Sequence, residues 1–173
     1  MEHRLHLHRW ARREPDWRAA MVAGFAAGAM LMVIELLWAT FMSNTGPWRI
    51  SQLVAALLLG PQTLQLPAGS FSVGVVTVAL ATHYAVGIGF GMFAAFVGVG
   101  FHYETSAAAM AAIGAAFGAV LYVFSFHVAT LVFPWLVELR GWATLIAHLI
   151  FGVTGALVYW QLARRPSRSP GSR

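Results

Sequence analysis

The stretch AAMVAGFAAGAMLMVIELLWATFM, residues 19–42, decides the fold of this chain. Its only ionisable side chain is Glu35, and a helix of this length crosses the roughly 30 Å hydrocarbon core of a bilayer. Comparable apolar stretches follow at residues 73–100, 106–133 and 142–163. The sequence therefore predicts an all-α membrane protein, with four transmembrane helices in an up-down bundle.

The composition of the whole chain supports a membrane protein. Of the 173 residues, 59% are hydrophobic and only 10% are charged, whereas a soluble domain usually has about 25% charged residues. The 17 glycines are typical of transmembrane helices, and the absence of cysteine excludes disulfides and thiolate metal sites. The net charge of +5 lies mostly at the two ends, which indicates membrane topology and no nucleic-acid partner.

Residues 48–59 form a shorter apolar segment after the first span. A helix of this length rises only about 18 Å, which is too short to cross the bilayer. Its apolar residues recur at helical spacing and form one stripe. We predict a short amphipathic helix in the membrane interface that covers the mouth of the bundle. The stripe consists of Ile50, Leu53, Val54, Leu57 and Leu58.

The placement of arginine predicts the orientation of the chain. We expect a basic cytoplasmic arm at residues 1–18, a transmembrane domain at 19–163 and a disordered cytoplasmic tail at 164–173. The positive-inside rule places both ends in the cytoplasm, because they hold most of the arginines. The arm carries Arg4, Arg9, Arg12, Arg13 and Arg18, the tail carries Arg164, Arg165, Arg168 and Arg173, and the opposite loops carry only Arg49 and Arg140. The connection at residues 102–105 is short, so spans two and three are predicted to be antiparallel neighbours.

Each span contributes one deeply placed ionisable residue. These residues lie roughly 9–15 Å below the same membrane surface, at a rise of 1.5 Å per residue. Glycines at helical spacing share their faces, and small residues let transmembrane helices approach closely, so we expect these faces to point into the bundle. Intramembrane ionisable groups usually mark function. The four candidates are Glu35, His83, His127 and His148.

Three imidazoles and one carboxylate form a plausible ligand set for Zn, Fe, Cu or Mn. A second interpretation places haem b between His83 and His148, with Gly87 and Gly152 making room for the ring. A third has Glu35 and the histidines relay protons without a metal. Each histidine could instead be a hydrogen-bonded packing residue, and Glu35 could pair with Arg49 or Arg140.

Two functional hypotheses follow. The first is a membrane bundle that binds a transition metal or haem, with catalysis a further hypothesis if a coordination position stays open. The second is a cofactor-free protein that responds to protons or serves as an accessory subunit, in contact with lipid and with another membrane subunit or a second copy. Metal occupancy is expected to fall as the pH drops through the ordinary histidine range, about 6 to 7.

Short segments of the chain resemble a known family. These are ATHY at residues 81–84, FH at 126–127, FPW at 133–135 and AHLIFG at 147–152, with Glu35 upstream. They resemble the YagU-like proteins of the bacterial inner membrane, whose shorter relatives are sometimes labelled sodium:proline symporters. The resemblance implies a four-span inner-membrane protein with Glu35, His83 and His148 at recurring polar positions. It implies no activity, and 173 residues are too few for the core of such a carrier.

Overall fold

A computed structural model describes residues 14–98 and 106–164 of the chain. These residues form helices and no strand, and four of the helices are long and apolar enough to cross a membrane. The predicted all-α four-span bundle, with a short helix after the first span, is confirmed. Residues 1–13 of the predicted arm and 165–173 of the predicted tail lie outside the described residues. The α-helices are α1 (Trp17–Phe41), α2 (Arg49–Leu59), α3 (Val73–Gly98), α4 (Ala107–Val123) and α5 (Trp142–Ala163).

Local sequence signals determine several helix ends. The Asp16 carboxylate accepts a hydrogen bond from the Ala19 amide at 3.0 Å and caps the start of α1. The Ser106 hydroxyl does the same for α4, accepting from the Ala109 amide at 3.3 Å. Gly60 ends α2 with a φ of 88°, a backbone conformation that favours glycine. Because α1 and α4 start at one end of the bundle and α3 and α5 at the other, we call these the terminal end and the loop end.

The last turns of α4 depart from a regular helix. A π-helical turn at Phe124–Val128 is followed by a 3-10 turn at Ala129–Leu131, and a second 3-10 helix covers Pro134–Leu139. A π turn changes the usual pairing of backbone carbonyls. Here the Phe126 carbonyl accepts two hydrogen bonds from the Arg140 guanidinium, at 2.9 and 2.6 Å. The hydropathy of residues 106–133 predicts one continuous span and does not reveal this turn.

Glycines join the spanning helices in two close pairs. A Cβ atom at Gly91 of α3 would lie 2.7 Å from the Cα of Gly24 in α1, so these backbones touch. In the second pair, a Cβ at Gly118 of α4 would collide with the His148 carbonyl of α5. The helices α1 and α5 then pack together and join the two pairs, so the order across the bundle is α3, α1, α5, α4. The glycine faces point into helix contacts, as the sequence predicted.

The fourth side of the bundle is a gap. In residues 14–98 and 106–164, α3 and α4 are not among the helix pairs that pack closely, although their short connection predicted neighbours. The glycine faces that permit close approach are turned towards α1 and α5. The bulky side chains of Phe90 and Phe117 line the space between α3 and α4 instead. Spans two and three are therefore antiparallel neighbours, as the sequence predicted, but a gap separates them in the described residues.

Candidate functional site

The loop-end half of the gap contains a cavity of about 210 Å³, which we call the polar cavity. All four spanning helices contribute to its lining, together with α2 and the Pro134–Leu139 helix. At about 30 Å³ per molecule, this volume corresponds to about seven waters. Its ionisable lining residues are Glu35 from α1, His83 from α3 and His148 from α5.

The imidazole of His83 is held by the neighbouring helix. Its Nε2 atom lies 3.0 Å from the carbonyl oxygen of Gly28 in α1. A carbonyl can only accept a hydrogen bond, so Nε2 is the donor and carries the hydrogen of the neutral ring. The tautomer is thereby fixed, and Nδ1 keeps a free lone pair.

The imidazole of His148 is fixed in the opposite tautomer. Its Nδ1 atom donates to the Thr144 carbonyl, one turn earlier in α5, at 2.9 Å, which leaves the lone pair on Nε2. The ring is buried against the edge of the Phe126 ring, with a centroid separation of 5.3 Å. Each neutral ring therefore keeps one nitrogen lone pair that can accept a hydrogen bond or bind a metal ion.

Glu35 supplies the third acceptor of the polar cavity. The side chain is half-buried, and it forms no hydrogen bond with any residue of the described ranges. The expected alternative partners of this carboxylate are engaged elsewhere. Arg49 forms a two-pronged ion pair with Glu138, at 2.8 and 3.1 Å, and Arg140 binds the Phe126 carbonyl. The pairing of Glu35 with Arg49 or Arg140 is therefore wrong.

His127 does not join the other three residues. It is exposed on the outside of the π turn, with its ring against Tyr122 at a centroid separation of 5.7 Å, and it does not line the polar cavity. Helical geometry explains this position. Residue 127 comes nine residues after Gly118, which at about 100° per residue is the opposite side of the helix. The sequence therefore carried a signal that His127 faces away from the glycine contact.

The geometry limits the metal and haem interpretations. Among the described residues, no three side chains of His, Cys, Asp or Glu form a group that could hold a metal in the conformation seen here. A Cβ at Gly87 would lie 3.2 Å from the Gly24 carbonyl, and one at Gly152 would collide with the Gly114 carbonyl. Neighbouring backbone thus fills the space that Gly87 and Gly152 were expected to leave for a haem ring.

A roof of two short helices covers the polar cavity at the loop end. Val54 and Leu57 of α2 and Leu136 and Leu139 of the Pro134–Leu139 helix line the cavity from above. The Trp135 indole joins the two helices by donating to the Leu53 carbonyl at 3.1 Å. The Arg49–Glu138 ion pair joins them a second time. The short helix after span one therefore covers the bundle mouth on the side of Glu35 and the histidines, as predicted.

One residue of the roof was missed by the sequence analysis. Gln52 is only 1% exposed, and its amide donates to the Pro67 carbonyl at 3.0 Å and to the Ser70 carbonyl at 3.4 Å. Leu58, assigned to the buried stripe, is 70% exposed. A polar residue beside an apolar stripe is normally solvated. Only the hydrogen bonds from its side chain to the following loop reveal that Gln52 anchors α2.

The terminal-end half of the gap contains a second cavity of about 130 Å³, the apolar cavity. Small residues of all four spanning helices form much of its wall, and among the described residues Tyr159 is its only lining side chain with a polar group. Examples of the small lining residues are Ala27, Gly91, Ala94 and Gly114.

Comparisons with protein-family models, with curated proteins and with solved structures found no match to this chain. The resemblance to the YagU-like family stays a prediction.

Proposed function

We propose that this multi-pass membrane protein binds a cation in the polar cavity through Glu35, His83 and His148, with a transition-metal ion as the first candidate. The observation that supports it is the fixed pair of tautomers. Each imidazole donates one N–H to a backbone carbonyl, at 3.0 Å for His83 and 2.9 Å for His148. Metal-binding histidines are usually oriented by a hydrogen bond of this kind, which leaves the second ring nitrogen as the ligand.

The charge balance of the cavity favours a cation. The Glu35 carboxylate and two imidazole lone pairs are acceptors, and the nearby Thr82 hydroxyl already donates to the Val78 carbonyl at 2.8 Å. An ionised carboxylate within a membrane is costly unless a cation or a proton compensates it. Two imidazoles and a carboxylate suit Zn, Fe or Cu. Three protein ligands would leave a coordination position for water or a substrate.

Metal analysis of purified protein tests this proposal. After loading with Zn²⁺, Fe²⁺ or Cu²⁺ and removal of free ion, we expect wild-type protein to retain about one metal per chain. His83→Ala and His148→Ala should lose it, because each removes a ligand. His127→Ala is the matched control, since this histidine lies at a similar depth but is exposed outside the cavity. A wild-type protein that retains no metal, or equal loss in all three variants, would refute the metal site.

An optical spectrum distinguishes a bare ion from haem b. Backbone fills the space at Gly87 and Gly152, so we expect no Soret band. A Soret band that disappears in His83→Ala would instead establish the haem interpretation.

A proton is the second candidate cation, favoured by the lack of any three-residue metal group among the described residues and by the unpartnered Glu35. In metal-free protein, infrared spectra recorded across a pH series should show a protonated carboxyl band that Glu35→Gln removes. If this band is absent at every pH, Glu35 is not a proton carrier.

We further propose that the protein lies in a bacterial inner membrane with both ends in the cytoplasm. The nine-to-two distribution of arginines supports this orientation, and the exposed Arg18 and Arg164 both lie at the terminal end. Reporter fusions after Arg165 and within residues 62–70 test it. Activity of a periplasm-only reporter at the first position would contradict the orientation.

Association with a larger membrane subunit or a second copy belongs to the same proposal, and crosslinking in native membranes would detect it.

A further inference from the structure

The apolar cavity is a site that the cation proposal does not use. It lies between α3 and α4, the two spanning helices that do not pack closely in the described residues. Ile113 on its wall is 46% exposed, so the gap is continuous with the membrane-facing surface of α4. From Met110 to Phe117 the wall runs for about 10 Å along the helix axis.

The chemistry and size of this cavity exclude two classes of occupant. Water needs two to four polar partners in a buried site, and the lining residues in the ranges 14–98 and 106–164 offer only the Tyr159 hydroxyl. A partner helix is about 10 Å wide with its side chains, which is too thick for a volume of about 130 Å³. A single hydrocarbon chain is narrow, apolar and supplied by the surrounding bilayer.

We propose that the gap between α3 and α4 binds one acyl chain of a bilayer phospholipid in the apolar cavity. Two arginines at the terminal end of the bundle, which also carries Glu14 and Asp16, are the groups that would bind the phosphate. Arg18 and Arg164 are exposed where α1 begins and α5 ends, and the Arg164 guanidinium lies 4.4 Å from the centre of the Trp160 ring. Both helices also line the cavity, through Ala27 and Tyr159. The bound chain separates α3 from α4 and fills the space that would otherwise let them collapse together.

Photocrosslinking in vesicles tests the site. The probe is phosphatidylglycerol with a diazirine midway along one acyl chain, present as a minor component of phosphatidylcholine vesicles that contain the full chain. We expect crosslinks to concentrate on Ala94, Ile113 and Phe117. Ala94→Phe fills the cavity and should reduce this labelling several-fold. Ala85→Phe is the matched control, because Ala85 lies on the same helix but is exposed.

Two labelling patterns with the phospholipid probe would overturn the proposal. One is equal labelling in wild-type protein of the cavity residues and of the membrane-facing Phe96 and Val120. This comparison does not depend on whether the Ala94→Phe variant folds. The other is equal labelling in Ala94→Phe and Ala85→Phe. Labelling by a diazirine fatty acid but not by the phospholipid also contradicts it. The lipid proposal and the cation proposal can fail independently. His83→Ala should remove the bound metal but leave the lipid crosslinks unchanged.

Discussion

The polar and apolar cavities lie end to end in one gap, and the same four helices line both, yet they differ in the few polar side chains among their mostly apolar lining residues. Residues one turn apart divide them on each helix. Along α3, Gly87 lines the polar cavity and Gly91 the apolar one, and along α5, His148 lines the first and Gly152 the second. One helical turn thus separates a site with three acceptors from one with a single hydroxyl.

The two cavities also differ in how they are closed. The polar cavity has a roof of two short helices held by Gln52, Trp135 and the Arg49–Glu138 ion pair. No described helix caps the apolar cavity in this way, and its wall includes the exposed Ile113. Both cavities are nevertheless partly open at the side, so the roof shields the polar cavity from the loop end only.

The largest expected loss of stability comes from a substitution in the helix contact that both cavities depend on. Gly152→Leu should destabilise the protein by about 3 kcal/mol or more, because the new side chain meets the Gly114 backbone and forces α4 away from α5. Unfolding in detergent, followed by circular dichroism, measures the loss. Gly89→Leu is the control, since a Cβ there meets nothing within 4 Å, and its effect should stay within about 0.5 kcal/mol. Equal losses in the two variants would show that the close helix contact is not what holds the cavities.

A substitution in the roof should cause a smaller loss of stability and affect the polar cavity alone. Gln52→Leu leaves the Pro67 and Ser70 carbonyls without their buried donor, and it should cost about 1–3 kcal/mol. The loss should loosen only the roof, so hydrogen exchange should rise in α2 but not beside the apolar cavity. Gln65→Leu is the control, because the Gln65 side chain is exposed and makes no hydrogen bond within the described residues. Unchanged exchange in α2 would contradict the anchoring role of Gln52.

The smallest effect concerns the ion pair of the roof. The Arg49 side chain is 15% exposed and that of Glu138 is 43% exposed, so solvent weakens their attraction. A double-mutant cycle with Arg49→Ala and Glu138→Ala should give a coupling energy of about 0.5–1 kcal/mol. The double variant should retain its metal, because neither residue lines the polar cavity. A coupling of zero would mean that Trp135 and Gln52 hold the roof without this pair.

Much of the architecture was predictable because it depends on local patterns. Glu35 and His148 fall on glycine faces, and these faces do point into helix contacts around the polar cavity. The prediction placed His127 with them because its distance along span three matched theirs. Its direction around the helix axis, opposite to Gly118, points it away from the cavity. The metal and the orientation stay predictions, since neither a ligand nor a membrane side follows from the described contacts.

The sequence by itself determined the four spans and the short helix Arg49–Leu59, because hydropathy and helical rise act along one chain segment. Only the tertiary structure decided that α3 and α4 stand apart, that Arg49 pairs with Glu138, and which nitrogen of His83 stays free. These features depend on which faces meet across the bundle. Backbone atoms of distant segments, such as the Gly28 carbonyl beside His83, supply the contacts, and no spacing within one segment specifies them.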